Sequence, residues 1–409
     1  MRNCVNSKFS KTFFLSLSVL FLSTFTLNAQ WSQVSSTAGS VYALTVKDNS
    51  IFAGTGNNGV LISTDDGTNW TAVNSGLTYN TVYSLFVMDT TLFGGTFGGG
   101  LFYSSNSGTN WSKTGLTLVT VFCLHSIGTN LFAGTSESGV YLSPDSGKTW
   151  TAINNGMTST YVTSLVSVET NLFAGTSNGV FLSTDNGTNW TPVVNGLTNK
   201  DVRAMAVIGS DVFVGTPGGA FISSDNGSTW TPINSGLTNT IVKSFGVDGS
   251  KLFSGTNGGV FLSTNHGTSW TEINTGLTKT DIRAIVVSGS NLFAGIYNGG
   301  IWRRPLSEII TSIENRIENR PQHFRLEQNY PNPFNPATKI DFMVFSNQSA
   351  TLKIFNSLGQ EITTLFDGQV QSGKQYSLDF NSTNLPSGLY FYQLQTQNFT
   401  ETKSMMLIK

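Results

Sequence analysis

Charge, histidine and cysteine are all scarce in this sequence. Charged side chains make up 11% of the 409 residues, and the formal net charge is −1. This balance offers neither the basic surface that attracts nucleic acids nor an acidic tail, so we expect no nucleic-acid partner. The three histidines, His125, His266 and His323, never pair at the spacing of metal ligands. We therefore expect no metal and no cofactor.

Cysteine is limited to Cys4 and Cys123. Cys4 lies within residues 1–29, which have the charged start, the apolar stretch and the final small residue of a signal peptide. A membrane anchor is disfavoured because the apolar stretch is short and contains Ser and Thr. We expect export by the Sec machinery and cleavage by signal peptidase, which leaves no transmembrane segment. Cys123 then lacks a disulfide partner, and its apolar neighbours predict a buried side chain.

A repeat of about 40 residues fills most of the chain. Short apolar runs alternate with Gly-rich turns, and each run suits one β-strand. Four such strands per repeat are typical of a propeller blade. The sequence thus predicts an all-β fold in which a seven-bladed β-propeller spans residues 30–304. Seven tryptophans mark the repeats at intervals of 39 to 41 residues: Trp31, Trp70, Trp111, Trp150, Trp190, Trp230 and Trp270.

The two ends of the repeat region are complementary. The chain begins this region with a lone tryptophan strand at residues 31–34, and the last repeat ends near Arg303 without one. If the first strand docks as the fourth strand of the last blade, the ring closes and two open sheet edges disappear. A β-helix is the alternative, but it repeats at shorter periods and leaves the complementary ends unexplained.

The turn before six of the tryptophans carries a motif. Residues 63–70 read Ser-Thr-Asp-Asp-Gly-Thr-Asn-Trp and resemble the Asp box, Ser-x-Asp-x-Gly-x-x-Trp. Asp or Asn at its third position accepts bonds from the turn, and the tryptophan packs on the blade, so we predict structural roles. Asp boxes occur in sialidases, other glycoside hydrolases, sortilin-like receptors and photosystem II assembly-factor propellers, so the resemblance implies the fold more than a function. The motif residues are Asp65, Asn106, Asp145, Asp185, Asp225 and Asn265, followed by Trp70, Trp111, Trp150, Trp190, Trp230 and Trp270.

Candidate catalytic residues are few. A sialidase needs an arginine triad, and arginine is missing from the first four blades. Other glycosidases place two carboxylates about 5–10 Å apart, for which Asp201 and Asp281 are the best candidates. Each of them stands two residues before an arginine on the same strand face, which favours local ion pairs. We predict no catalytic residue and keep an extracellular glycoside hydrolase as the alternative.

The second residue of each inner strand varies around the ring. One half of this rim is aromatic and the other half is cationic, near one mouth of the channel. Aromatic faces stack on sugar rings or anchor peptides, while Arg and Lys pair with carboxylates. We predict that the rim binds a glycan or a surface protein; the alternative is that these side chains fill gaps between blades. The rim residues are Tyr42, Tyr83, Phe122, Thr163, Arg203, Lys243 and Arg283, with Tyr297 in a nearby loop.

A second unit follows the repeats. Residues 305–325 predict a solvated linker. Leu-Glu-Gln-Asn-Tyr-Pro-Asn-Pro-Phe-Asn-Pro-Ala-Thr at 326–338 and Leu-Pro-Ser-Gly-Leu-Tyr at 385–390 resemble the type A C-terminal sorting domain of the type IX secretion system. The alternating strands at 350–355 and 389–396 also predict a small β-sandwich. The resemblance implies that outer-membrane secretion machinery of a Bacteroidetes-like bacterium reads residues 326–409; a carbohydrate-binding sandwich is the alternative.

These patterns together predict an exported protein. It crosses the periplasm and is secreted or held on the outer cell surface, where the propeller binds a glycan or protein without catalysis. The first alternative is an extracellular glycoside hydrolase acting on polysaccharide, and the second is a purely structural surface protein.

Overall fold

The computed structural model describes residues 30–309, 324–396 and 400–409. The predicted signal peptide and most of the predicted linker lie outside these residues. Contacts within the chain divide the protein into two compact units, the first ending at Ile309 and the second beginning at Ile310. Each unit is described by itself.

The first unit is built from seven four-stranded antiparallel sheets within the described residues. Four classes of strand recur, one of each per sheet. The inner strands are β2 (Val41–Lys47), β6 (Val82–Met88), β10 (Val121–Ile127), β14 (Val162–Val168), β18 (Ala204–Ile208), β22 (Val242–Asp248) and β26 (Ile282–Ser288). The second strands are β3 (Ser50–Thr55), β7 (Thr91–Thr96), β11 (Asn130–Thr135), β15 (Asn171–Thr176), β19 (Asp211–Thr216), β23 (Lys251–Thr256) and β27 (Asn291–Ile296).

The outer half of each sheet contains a third strand and a short fourth strand. The third strands are β4 (Val60–Ser63), β8 (Gly100–Ser104), β12 (Val140–Ser143), β16 (Gly179–Ser183), β20 (Gly219–Ser223), β24 (Gly259–Ser263) and β28 (Gly300–Pro305). The fourth strands are β5 (Thr71–Ala72), β9 (Ser112–Lys113), β13 (Thr151–Ala152), β17 (Thr191–Pro192), β21 (Thr231–Pro232), β25 (Thr271–Glu272) and, for the last sheet, β1 (Ser32–Ser35). The seven-bladed propeller is confirmed.

The ring closes through the N-terminal strand. Strand β1 pairs antiparallel with β28, with Ser32 opposite Arg303 and Gln33 opposite Trp302. Val41 and Ile51 of the first blade share a buried apolar cluster with Phe293 of the last. As the complementary ends predicted, the N-terminal strand completes the last blade, and the first and last blades share a core.

The hydrophobic core lies between neighbouring blades. Phe52 of the first blade and Phe102 of the second, for example, belong to one cluster and are fully buried. Trp111 closes that cluster, and its Nε1 donates to the carbonyl of Val73 in the preceding blade at 2.7 Å. Each repeat thus completes its core only against its neighbour, which is why the repeats need a ring.

The motif turns are held by their own side chains. In the first, Asp65 Oδ1 accepts bonds from Ser63 Oγ at 2.9 Å and from the backbone N–H of Asn69 at 2.8 Å. Asn106 accepts the equivalent pair through its Oδ1, from Ser104 Oγ and the backbone N–H of Asn110, each at 2.9 Å. Asn can replace Asp in two of the turns, because one side-chain oxygen accepts both of the hydrogen bonds that these turns have in common.

Acid pH is expected to weaken the Asp-containing turns. Hydrogen bonds from the backbone and side chain of Thr149 lower the pKa of Asp145 to about 2. The stability contributed by this carboxylate is present above its ordinary pKa of 3.8 and is lost as the pH falls through about 2. We expect Asp145→Asn to show a shallower fall in melting temperature between pH 5 and 2 than the wild type, and Asn106→Asp a steeper one. Equal slopes in all three proteins would contradict this assignment.

The propeller extends slightly beyond its predicted end. Strand β28 runs to Pro305, and a helical turn follows at 306–309. The backbone N–H of Leu306 donates to Ser290 O at 2.8 Å, and the side chain of Ile309 is 1% exposed. These contacts tie the start of the predicted linker to the last blade. The predicted domain boundaries otherwise stay predictions.

The second unit is an all-β domain with two sheets. One sheet has the order β29-β30-β33 and the other the order β32-β31-β34-β35. Alternating side chains of both sheets, such as Phe342 and Leu352, form one core. Asn329 of the sorting motif is 2% exposed, and its backbone N–H donates to the hydroxyl of Tyr392 at 2.9 Å. The strands are β29 (Phe324–Leu326), β30 (Ala337–Val344), β31 (Gln348–Asn356), β32 (Glu361–Val370), β33 (Gln375–Asn381), β34 (Gly388–Thr396) and β35 (Thr400–Leu407).

Candidate functional site

The predicted rim positions coincide with β-bulges. In six inner strands the pairing register shifts at the rim residue: at Tyr42, Tyr83, Phe122, Thr163, Lys243 and Arg283. In the fifth blade Arg203 immediately precedes β18, although the sequence placed the strand start at Val202. A bulge leaves one residue outside the ladder and re-aims its side chain. This local irregularity sets the rim residues apart from the regular ladder of each blade.

All seven rim side chains line one cavity. Its volume is about 840 Å³, and it opens at one mouth of the propeller channel. Four further residues complete its wall: Phe97, Tyr161, Ser177 and Asp201. Of these, Asp201 is one of the two carboxylate candidates that the sequence indicated. Ser177 carried no signal, because only the fold brings its loop to the cavity.

Aromatic rings form a continuous arc along one side of this cavity. The arc follows the order Tyr297, Tyr42, Tyr83, Phe122 and Tyr161, and neighbouring ring centroids lie 4.8–6.4 Å apart. Their planes meet at 44–70°, so the rings present tilted faces and edges rather than one flat platform. We call these five residues the aromatic arc. Tyr297 does not line the cavity itself but extends the arc behind Tyr42.

Three cations and Asp201 line the opposite side, and Asp281, which bonds to two of the cations, lies outside the lining residues. Arg203 donates from Nε and Nη2 to the two oxygens of Asp201, at 2.9 and 2.6 Å. Arg283 donates in the same way to Asp281, at 2.8 and 3.0 Å. Lys243 Nζ donates to Asp281 Oδ1 at 2.7 Å. We call Arg203, Lys243 and Arg283 the cationic arc; against the two carboxylates it leaves one positive charge in excess.

The two arcs meet where Arg283 lies over the ring of Tyr297, with its guanidinium carbon 4.9 Å from the ring centroid. Such a cation–π contact fixes the plane of the guanidinium. At the other junction the hydroxyl of Thr163 donates to the backbone carbonyl of Val202 at 2.8 Å. The circle of side chains is thus held at one end by a contact within the seventh blade and at the other by a contact between the fourth and fifth blades.

The protonation states follow from these contacts. Burial raises the pKa of Asp281, but hydrogen bonds from Arg283 and Lys243 outweigh it, and the net pKa lies below the ordinary value. Burial lowers the pKa of Lys243, while its bond to Asp281 acts in the opposite direction. The pKa values of Asp281 and Lys243 therefore shift for different reasons. The pair is charged at neutral pH because two cations contact Asp281. Burial raises the pKa of Tyr83, which keeps its hydroxyl a neutral donor.

The remaining polar candidates lie elsewhere in the described residues. Cys123 packs between the third and fourth blades, where burial raises its pKa to about 12 and keeps the thiol protonated. His125 donates to or accepts from Ser167 Oγ at 2.9 Å in the same region. No group of three or more His, Cys, Asp or Glu side chains among residues 30–309, 324–396 and 400–409 is placed to hold a metal ion.

The fold and the sorting motif define an exported protein that consists of a β-propeller followed by a C-terminal sorting domain. The chain belongs to the DUF6242 β-propeller domain family, whose model matches residues 28–162 and 159–291. A second model, the secretion system C-terminal sorting domain, matches residues 328–409. The predicted propeller and type IX sorting domain are confirmed. No curated protein sequence matches the chain.

Several solved structures share the propeller fold. YCF48 from Cyanidioschyzon merolae is 16% identical with a TM-score of 0.54, and the match covers 68% of this chain and 98% of YCF48. The GH74 enzyme of Niastella koreensis is 17% identical with a TM-score of 0.51, over 65% of this chain and 43% of the enzyme. An ancestral GH74 enzyme is 14% identical with a TM-score of 0.57, over 90% and 59%. This chain thus spans nearly all of YCF48 but about half of each GH74 enzyme.

The sorting domain indicates secretion to the cell surface or the extracellular space. Among the helices of the described residues, none has the length and apolar character needed to cross a bilayer.

Proposed function

We propose that this protein is a non-catalytic binding protein that holds a glycan or protein ligand in the cavity at the mouth of its propeller. One observation carries the proposal: the seven variable positions of the repeat all line this cavity, whereas the repeated motif residues form its scaffold. Variation concentrated on one mouth of an otherwise regular ring is the pattern of a recognition surface. Tilted aromatic rings beside oriented cations supply both apolar area and polar specificity.

The state of the two rim carboxylates supports binding over catalysis. A glycosidase needs one carboxylic acid that is protonated near neutral pH and a second that is ionised. Asp281 has a lowered pKa and two cationic partners, so it is a poor proton donor. Asp201 uses both oxygens on Arg203. Their arrangement suits the orientation of the arginines better than proton transfer.

Binding is expected to depend on both arcs. We expect the combined variant Tyr83→Ala/Arg203→Ala/Arg283→Ala to bind its ligand at least about 100-fold more weakly, because it removes central anchors of both arcs. The measurement is binding of the full-length protein to glycan and peptide arrays, followed by titration calorimetry of each ligand found.

The matched control carries Tyr103→Ala and Lys148→Ala. Both side chains are exposed, and neither is among the described residues that line the cavity. Its affinities should equal those of the wild type. Unchanged affinity of the rim variant for every ligand would exclude the rim as the binding site.

A glycoside hydrolase is the second candidate, favoured by the presence of two carboxylates on the rim and by the shared fold with GH74 enzymes. Release of reducing sugar ends from a polysaccharide by the wild type, but not by Asp201→Ala/Asp281→Ala, would establish it and contradict the binding proposal. The solved structure of YCF48 bound to D1 peptide provides a propeller of this fold with a peptide ligand.

We further propose how the chain is exported and divided. Signal peptidase removes residues 1–29 after passage through the Sec machinery, and the type IX outer-membrane machinery engages residues 326–409. The propeller at 30–304, joined by the linker at 305–325, is the cargo that reaches the surface. The motif at Asn329, which is built into the core of the sorting domain, supports its use as a folded recognition unit.

A further inference from the structure

The cationic arc is prepared for a negatively charged ligand. Each of its two arginines donates hydrogen bonds from Nε and Nη2 to an aspartate. Among the described residues, Nη1 of neither arginine has a hydrogen-bond partner. The aspartates therefore orient the two guanidinium planes and leave one edge of each available. The side chain of Arg203 is 44% exposed and that of Arg283 is 31% exposed, so these edges are accessible. A carboxylate suits such an edge, because Arg donors bind it with two parallel bonds.

The charge balance limits how much negative charge the site favours. Three cations and two carboxylates leave one positive charge in excess, and the aspartates repel further anions. A ligand with one carboxylate at the site neutralises this excess. A phosphate monoester, with up to two charges, would leave a net negative cluster.

The aromatic arc indicates what carries the carboxylate. Among the described residues, the cavity wall consists of aromatic, hydroxyl-bearing and charged side chains and includes no aliphatic one. An apolar peptide anchor prefers aliphatic and aromatic packing on all sides. A sugar ring has an apolar C–H face for a tyrosine ring and a hydroxyl edge for its phenol. Four of the five rings in the aromatic arc belong to tyrosines, which supply both.

We infer that the ligand is an acidic glycan whose sugar ring stacks on the aromatic arc while its carboxylate binds Arg203 and Arg283. This inference rests on the proposed function and specifies the ligand class of the same site. The aromatic arc runs from Tyr297 to Tyr161 opposite the arginines, so a ring on the arc directs its carboxylate across the cavity to them.

The test uses the full-length protein and pairs of sugars that differ only in the carboxylate. Oligosaccharides of galacturonic, mannuronic and guluronic acid are each compared with their carboxyl-reduced neutral products by titration calorimetry. We expect at least one acidic oligosaccharide to bind, and carboxyl reduction to weaken it about tenfold to a hundredfold. Arg203→Gln/Arg283→Gln should abolish this preference, whereas Lys148→Gln, an exposed cation outside the cavity wall, should preserve it.

The outcomes separate this inference from the proposed function. If acidic and neutral sugars bind equally well and Tyr83→Ala abolishes both, the inferred recognition of a carboxylate is wrong, but the cavity remains the binding site. The inference that the ligand is a glycan is wrong if the protein binds peptides but none of the sugars, or if it binds no member of the panel. Hydrolysis of any oligosaccharide would instead contradict the proposed function. A circular dichroism melt that matches the wild type establishes that each variant is folded.

Discussion

Replacing Trp31 with alanine is expected to lower the free energy of unfolding by about 3–5 kcal/mol. The side chain of Trp31 is 2% exposed, and its Nε1 donates to Ile273 O at 2.6 Å. Its backbone N–H also donates to Thr275 O at 2.9 Å. These contacts dock β1 on the last two blades, and β1 is the strand that closes the ring. Loss of the indole removes buried packing at the point where the ring can open.

Trp150 provides the matched control. It occupies the equivalent position in the third blade, but it is half-buried, and its Nε1 donates to Gly147 O within its own turn at 3.0 Å. We expect Trp150→Ala to cost about 1–2 kcal/mol, because this side chain packs on the core between the second and third blades, away from β1. Urea unfolding followed by far-UV circular dichroism measures both. An equal or smaller loss for Trp31→Ala would contradict the role of β1 in closure.

Gly196→Ala is expected to destabilise the propeller by roughly 2–5 kcal/mol. Gly196 has φ +84°, and a Cβ there would lie 2.2 Å from the backbone oxygen of Trp230 in the neighbouring blade. The methyl group therefore forces apart two backbones that are joined by a bond from Trp230 N–H to Asn195 O at 2.8 Å. The cost combines left-handed backbone strain with the loss of a contact between blades.

Gly209→Ala separates these two contributions. Gly209 also has a positive φ, +62°, but a Cβ there would meet nothing within 4 Å. Its alanine variant should be destabilised only by the backbone strain, which costs about 1–2 kcal/mol. Tryptophan fluorescence during urea unfolding measures both variants, since neither removes a tryptophan. Equal losses would show that the approach of the blades at Gly196 tolerates a side chain. The same approach to a tryptophan oxygen recurs at Gly76, Gly156 and Gly236.

The repeated positions explain why so much of the fold was predictable. A tryptophan every 40 residues and a Ser-x-Asp-x-Gly turn before it fix the blade, because each bond of the turn joins residues within four positions of one another. The lone strand at Trp31 predicted closure, since pairing this unpaired strand with the incomplete last blade removes two open sheet edges. The sorting motif was recognised by its resemblance to a known domain, whose opening Leu-Glu-Gln-Asn-Tyr-Pro-Asn-Pro is continuous in the sequence. The burial of Asn329 within it depends on Tyr392, 63 positions away.

For the site, the sequence predicted which residues take part but not how they are arranged. The varying position of the repeat identified the rim residues, but the strand pattern gave no sign of the bulges that turn them into the cavity. The bond from Lys243 to Asp281 joins residues 38 apart on neighbouring blades, so local spacing could not reveal it. Spacing did favour the pairs of Asp201 with Arg203 and of Asp281 with Arg283.

By itself the sequence determined the blades and their number, because those features rest on periodic burial and on hydrogen bonds between near neighbours. The complementary ends of the repeat predicted the closing strand, and the resemblance of the C-terminal motifs predicted the sorting domain. The tertiary structure decided that seven variable side chains meet around one cavity, with tyrosines facing cations that two aspartates hold in place. The physical reason is that the bulges and the ring bring together residues up to about 240 positions apart, and these distances depend on the closed circle of blades rather than on any single repeat.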